Sequence, residues 1–199
     1  MRGKGKSEIE IKLRVSSLAR LRAALARAGA RKLGRVHEMN TLFDTPHWTL
    51  RKKGRLLRLR VERPAVGRGV MRGILTMKGP AQRGGRYKVR EEAEAPVAAP
   101  QSVPAILGTM GLRATFRYEK YRTSYGVPSA PGLHLVLDET PMGTYLELEG
   151  PPRAIDRVAR RLGYSPADYI TRSYLALHLE DCRRRGVRAG DLVFPAKKK

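Results

Sequence analysis

Glu8-Ile9-Glu10-Ile11-Lys12, continuing through Leu13-Arg14-Val15, alternates charged and aliphatic side chains one for one. In an extended strand successive side chains point to opposite faces, so Glu8, Glu10, Lys12 and Arg14 share one face and Ile9, Ile11, Leu13 and Val15 the other. The pattern recurs along the chain. Leu57-Arg58-Leu59-Arg60-Val61-Glu62 follows it, as do Lys88, Arg90, Glu92 and Glu94 around Val89, Ala93 and Ala95. Lys120 and Arg122 alternate with Tyr121 and Thr123, Asp138 ends a run beginning at Leu133, and Glu147 and Glu149 alternate with Leu146 and Leu148. One side of the sheet therefore collects acids and bases almost exclusively.

About eight antiparallel strands with one ionic face need a geometry that keeps those charges hydrated or paired, because an unpaired buried charge costs several kcal/mol. The expected architecture is α+β and β-dominated. It is a closed eight-stranded antiparallel barrel with an ionic interior, its aliphatic outer face covered by helices. A flat sheet with a solvated ionic face is the alternative, with the acids and bases neutralising one another across strands.

Helices are expected where the period changes. Ser16 or Ser17 can cap a helix with Leu18, Leu21, Leu25 and Ala28 on one side, ended at Gly29. A short helical pattern lies between Pro100 and Gly111. Ile155, Val158, Ala159 and Leu162 form another helical face before Gly163, and a last helix spans Arg172 to Arg185. Asp44-Thr45-Pro46 reads as a turn, and Trp48 and Leu50 as core. The sole cysteine, Cys182, excludes an internal disulfide. His37, His47, His134 and His178 have no ligand spacing and read as structural or surface residues.

The 199 residues suit one domain, at 7–180, followed by a basic tail at 186–199 expected to be frayed. With 41 Lys and Arg against 18 Asp and Glu, the formal charge is +23, which favours polyanions without choosing among them. The first residues lead into a strand with no long apolar segment, so a cytoplasmic chain without a membrane span is expected. Aromatic residues make up 6% of the chain and do not interleave with the bases, which argues against nucleic acid as partner. The oligomeric state is left open, a dimer included.

Within such a barrel Lys12, Arg58, Arg60, Lys78, Arg90, Lys120 and Arg122 can grip phosphate oxygens. Glu8, Glu10, Glu147 and Glu149 would repel that ligand unless divalent cations sit between carboxylate and phosphate. Metal-assisted phosphate chemistry is the reading that uses both signs of charge.

These motifs resemble the CYTH domain, the triphosphate tunnel metalloenzymes. Glu8-Ile9-Glu10-Ile11-Lys12 matches the family's ExExK opening, and Asn40-Thr41-Leu42-Phe43-Asp44-Thr45-Pro46 its N-x-x-F-D-T-P stretch. Leu57 to Arg60 matches its L-R-x-R strand, Leu75 to Gly79 its L-T-x-K-G segment, and Leu146 to Gly150 and Ser173-Tyr174 resemble its later motifs. The resemblance implies an eight-stranded tunnel acting on triphosphates with Mg2+ or Mn2+. Carried over by position, Lys12, Arg58, Arg60, Lys78, Arg90 and Arg122 would bind triphosphate. Glu8, Glu10, Asp138, Glu147 and Glu149 would hold metal, with Glu92 and Glu94 either holding metal or supporting those that do. Lys78, Glu147 and Glu149 would be catalytic, Lys78 by stabilising the leaving phosphate.

Two departures stand out. The family often has glutamine where this chain has His37-Glu38-Met39, and no lysine follows Tyr174 before Lys197, so Arg172 or Arg183 to Arg185 would have to replace a closing lysine. The function implied is hydrolysis of the terminal phosphate of inorganic triphosphate or an organic one, thiamine triphosphate or a nucleotide. The alternatives are a class IV adenylyl cyclase, releasing cyclic AMP and pyrophosphate from ATP, and a noncatalytic polyphosphate or RNA binding module.

Overall fold

Parity decides which side of each strand faces inward. The computed structural model describes residues 6–67, 69–82 and 84–195. Its strands are β1 (Lys6–Val15), β2 (Arg31–Asp44), β3 (Leu56–Pro64), β4 (Arg72–Lys78), β5 (Lys88–Val97), β6 (Arg113–Gly126), β7 (His134–Thr140) and β8 (Gly143–Glu149). They close into a barrel in the order β1-β5-β4-β3-β2-β6-β7-β8. Every neighbouring pair is antiparallel.

The registers bring the charged positions level with one another. Glu10 lies opposite Lys88 and Glu149, Lys12 opposite Glu147, Lys78 opposite Glu92, Glu38 opposite Lys120, and Arg122 opposite Asp138. A slip of one residue in any pair would turn a charged set outward and an aliphatic set inward, so the alternation itself pins the register.

Helices cover the aliphatic side. Helix α1 (Leu18–Arg27), capped by the Ser17 hydroxyl, which accepts from the Arg20 amide, and helix α4 (Pro152–Arg161) enclose Ile11, Leu13, Leu135, Leu137, Leu146 and Leu148 with their own apolar stripes. Helix α3 (Val103–Thr109) places Val103 and Leu107 against Phe43, Leu57 and Leu59. The single-turn α2 (Thr49–Lys52) is latched by Asp44, whose carboxylate accepts from the amides of Thr45, Leu50 and Arg51 at 2.8–2.9 Å. Leu50 packs there, but Trp48, expected in the core, is 37% exposed beside Arg51. Its left-handed backbone at φ 59 opens this turn at the surface.

The last helix, α5 (Tyr174–Arg184), packs on a different set. Tyr174 and Leu177 meet Leu42, Phe116, Tyr118 and Tyr145. Leu42, Tyr118 and Tyr145 have the parity of the ionic residues on their strands, so α5 lies across one end of the barrel, at the C-terminus of β2 and the N-termini of β6 and β8.

The segment after α5 corrects the expectation of a frayed tail as far as residue 195. β7 pairs with β6 only over Tyr121 to Tyr125, which leaves an unpaired edge on β6. The chain returns to fill it: Leu192 donates to Arg117 and accepts from Glu119, both at 2.9 Å, and Asp191 takes the Arg117 guanidinium. Leu192 is 5% exposed, and Phe194 covers Tyr121. An open strand edge is a liability, and this segment closes it. Lys197 to Lys199 lie outside the described residues.

Leu192→Ala should lower unfolding free energy by about 2 kcal/mol in a denaturant titration, through lost packing at this edge. Asp44→Ala should cost about 2 kcal/mol, since three amides lose a charged acceptor. Burial raises the Asp44 pKa, but the three amides outweigh it and the net shift is downward. The native stabilisation should therefore be full above the ordinary Asp value of 3.8 and fade as pH falls through the lowered folded value, a trend that Asp44→Ala should lack.

Candidate active site

Inside the barrel is a cavity of about 350 Å³ whose walls carry most of the charged residues singled out from the sequence. Lys12, Arg58, Arg60, Lys78, Arg90, Lys120 and Arg122 all line it, as do Glu8, Glu10, Glu92, Glu94, Glu147 and Glu149. Six of the eight strands supply acids and bases to it, β2 adds Leu42 and β7 adds His134 and Val136, and Ser173, Tyr174 and Leu175 supply the wall where α5 begins.

The charges are organised as carboxylate pairs around lysines. Lys12 Nζ stands 3.1 Å from Glu10 and 3.2 Å from Glu147. Lys78 Nζ stands 2.6 Å from both Glu8 and Glu92. Lys88 donates to Glu10 at 2.5 Å. Arg122 reaches Glu147 at 2.5 Å, and Arg58 and Arg60 meet at Glu94, each 3.4 Å away. Arg90 lines the same cavity but spends its guanidinium on loop carbonyls, donating to Gly79 and, at 2.8 Å, to Gly54.

Electrostatics keep most of this set ionised. Burial pushes Glu10 up, yet Lys12 and Lys88 more than offset it and hold the carboxyl at about 2. Lys12 is desolvated but raised by Glu10 and Glu147, and Glu147 is held well below the usual range by Lys12, Lys120 and Arg122 despite its burial. Glu92 differs. Burial and a hydrogen bond with the Glu8 carboxyl push it to about 7, and Lys78 only partly compensates.

Asp138 stands apart from the other expected metal-holding acids. It is fully buried behind the cavity wall, and its oxygens accept from Lys120 at 2.8 Å, from Arg122 at 2.7 and 2.6 Å, and from the Tyr174 hydroxyl at 2.8 Å. Both oxygens are engaged by these donors, so its geometry is that of an anchor for two cavity bases and for α5.

The local sequence fits these placements. Gly150, closing Leu146-Glu147-Leu148-Glu149-Gly150, has φ +150, and a Cβ there would lie 2.6 Å from the Gly132 carbonyl. Only glycine lets β8 end so close to the β6–β7 loop and leaves Glu149 on the wall.

Four contributors escaped the sequence reading. Lys88 is placed on the ionic face by the same alternation as Arg90 but is not among the bases expected to bind the ligand. His134 lies at the cavity edge opposite Glu149. Tyr118 reaches the Arg58 guanidinium at 3.5 Å. Glu38 is fully buried between Arg60, Lys120 and Arg122, and the stretch containing it was remarked only as a departure. The arginines suggested as substitutes for a closing lysine do not line this cavity. Arg172 and Arg184 border a second one behind Tyr145, paired with Glu180 and Asp181. Cys182 is buried on α5 against His178, away from the cavity wall.

The donor set is compatible with a hard divalent cation. Among the described residues no three acidic, histidine or cysteine ligands stand preassembled around one point. The carboxylates come in pairs, Glu10 with Glu147 and Glu8 with Glu92. Mg2+ commonly takes one or two carboxylates and completes its shell with water and phosphate oxygens. Crowding of Glu8 against Glu92 is the kind of strain a cation relieves.

Comparison with known proteins agrees with this architecture. The profile of the CYTH domain matches residues 6–174. Among solved structures, the PH1819 protein of Pyrococcus horikoshii superposes with a TM-score of 0.74 at 24% identity, covering 87% of this chain and 99% of that one. HpAC1 of Hippeastrum, described as a candidate adenylyl cyclase that reveals a dominant triphosphatase activity, has a TM-score of 0.65 at 21% identity, over 92% and 97% of the two chains. At these identities the likeness is one of fold. No curated protein matches the chain. Among the described residues no helix is long and apolar enough to cross a membrane.

Asp138→Ala should lower unfolding free energy by about 3–5 kcal/mol, because it strips Lys120 and Arg122 of a buried partner. Equilibrium denaturation of the variant checks this, and a loss below about 1 kcal/mol would contradict the anchoring role.

Proposed function

This chain belongs to the CYTH domain family, and from that premise we propose that its cavity hydrolyses the terminal phosphoanhydride of a small triphosphate, inorganic or organic, with Mg2+ or Mn2+. The observation that carries the reading is the interleaving of bases and carboxylates on one enclosed wall. Bases alone would serve any polyanion. Carboxylates among them repel phosphate unless a cation intervenes, so the pair of signs points to a metal–phosphate ligand.

Each side chain has a role set by its position. Lys12, Arg58, Arg60, Lys120 and Arg122 neutralise phosphate oxygens, the arginines by two parallel N–H bonds. Arg90 lines the cavity while its guanidinium ties the carbonyls of Gly54 and Gly79 together, so it holds those two loops and offers phosphate its charge. Glu8, Glu10, Glu147 and Glu149 would hold the metal, with Glu92 and Glu94 beside them; the bound cation supplies Lewis acidity and lowers the pKa of water. Lys78 is held charged between Glu8 and Glu92, its pKa raised by them against the opposing effect of burial. As an ammonium it stabilises charge developing on the leaving phosphate without transferring a proton. Asp138 orients Lys120 and Arg122 and fastens Tyr174.

Product analysis tests the proposal. Inorganic triphosphate, thiamine triphosphate and ATP, each with Mg2+, Mn2+ or chelator, should yield metal-dependent orthophosphate, and their relative rates rank the substrates. Glu147→Ala should lower kcat by about 100-fold, the scale for losing one preorganised charge-stabilising group. Arg58→Ala should raise KM by about tenfold or more, as expected for a lost charged hydrogen bond. An unchanged kcat in Lys78→Ala removes its role at the leaving group. Cyclic AMP and pyrophosphate from ATP would make the protein a cyclase, and salt-sensitive polyanion binding without turnover would make it a binding module.

A further inference from the structure

Glu38 is a buried carboxylate on the same inward-facing side of β2 as Asn40, and neither residue lines the cavity. Its Oε1 lies 3.4 Å from Arg122 Nε and 3.8 Å from Arg60 Nη1, and its Oε2 lies 3.3 Å from Lys120 Nζ. Neither oxygen has a hydrogen-bond partner, and the Asn40 amide beside it has none either. Glu38 therefore acts on three cavity bases through charge, not through directed bonds.

Each of these bases has a carboxylate partner besides Glu38. Lys120 and Arg122 are bonded to Asp138, Arg122 also to Glu147, and Arg60 is paired with Glu62 and Glu94. A fully desolvated carboxylate with no hydrogen bonds is a poor stabilising device, since its burial cost is met only by Coulomb attraction at loose distances. Yet its charge is firmly held: burial pushes the carboxyl up, but Arg122, Lys120 and Arg60 bring it down to about 2.

We propose that Glu38 is a built-in counter-charge that limits how tightly the cavity holds polyanions, by competing from behind for the same three bases that face the phosphate. This rests on reading the cavity as a triphosphate site. The sign follows from Coulomb's law: a fixed negative charge just behind the bases opposes every anionic ligand, substrate and product alike, and its removal strengthens anion binding. A residue that merely aligned the bases would have the opposite effect, because its loss would let them disperse and weaken binding. Attenuation of this kind suits a turnover site, where product phosphates must leave a strongly basic chamber.

The test is calorimetric titration of the full chain with a non-hydrolysable imido analogue of inorganic triphosphate in the presence of Mg2+, so that binding is read with the cation and without turnover. Glu38→Gln keeps the shape and removes the charge, and should bind about tenfold more tightly, with a lowered KM in the metal-supported assay. Glu38→Asp draws the charge back by one methylene and should tighten binding by a few-fold, which decides the matter if the glutamine variant does not fold. Unchanged or weakened binding in the folded variants, or a raised KM, overturns the inference while leaving the triphosphate reading intact. Absence of any polyanion binding by the native chain overturns both.

Discussion

The structure depends on one constraint: charges turned into a closed barrel must find partners there. An orphaned buried ion costs several kcal/mol, so the inward residues cannot be a basic lining alone. Each cluster described above obeys this. Lys12 sits between Glu10 and Glu147, Lys78 between Glu8 and Glu92, and Lys120 and Arg122 close on Asp138. The same constraint accounts for α5, whose Tyr174 hydroxyl takes up a position on Asp138 while its ring lies 5.3 and 5.1 Å from the ammoniums of Lys12 and Lys120.

Self-pairing has a chemical consequence. The bases of the cavity are paired with its own carboxylates, so an anionic ligand must exchange places with them. On the proposed function, the carboxylates would hold a divalent cation, which would leave the lysines and arginines to bind the phosphate. Only a ligand that brings both charges satisfies both sets. Glu38 cannot take part in this exchange, because it lies behind the wall, and that is what sets it apart from the other acids.

Much of this was legible in the chain. Alternation over Glu8 to Val15, Leu57 to Glu62 and Lys88 to Glu94 was enough to separate an ionic from an aliphatic face, because strand geometry fixes side-chain direction at every second residue. Turn glycines, the serine cap at Ser17 and the helical stripe from Ile155 to Leu162 marked the other elements by local rules. Lys88 was equally accessible to parity. The reading faltered where position along the barrel axis mattered. Trp48 is apolar and sits in a motif-rich stretch, but the turn that holds it faces outward. Asp138 shares its strand's inward parity with residues of the wall, yet the packing of Tyr174 over it decides that it is covered.

The sequence by itself determined the barrel, its polarity and the residue types that meet within it, because alternation and closure are consequences of local geometry and of the cost of burying charge. Tertiary structure alone decided which acid pairs with which base, since that depends on registers among strands distant in the chain. It placed Asp138 and Glu38 behind the wall and Glu147 on it. It also brought the segment at Leu192 back to β6, for a reason invisible locally: β7 ends early, and an exposed strand edge there must be paired by whatever part of the chain can reach it.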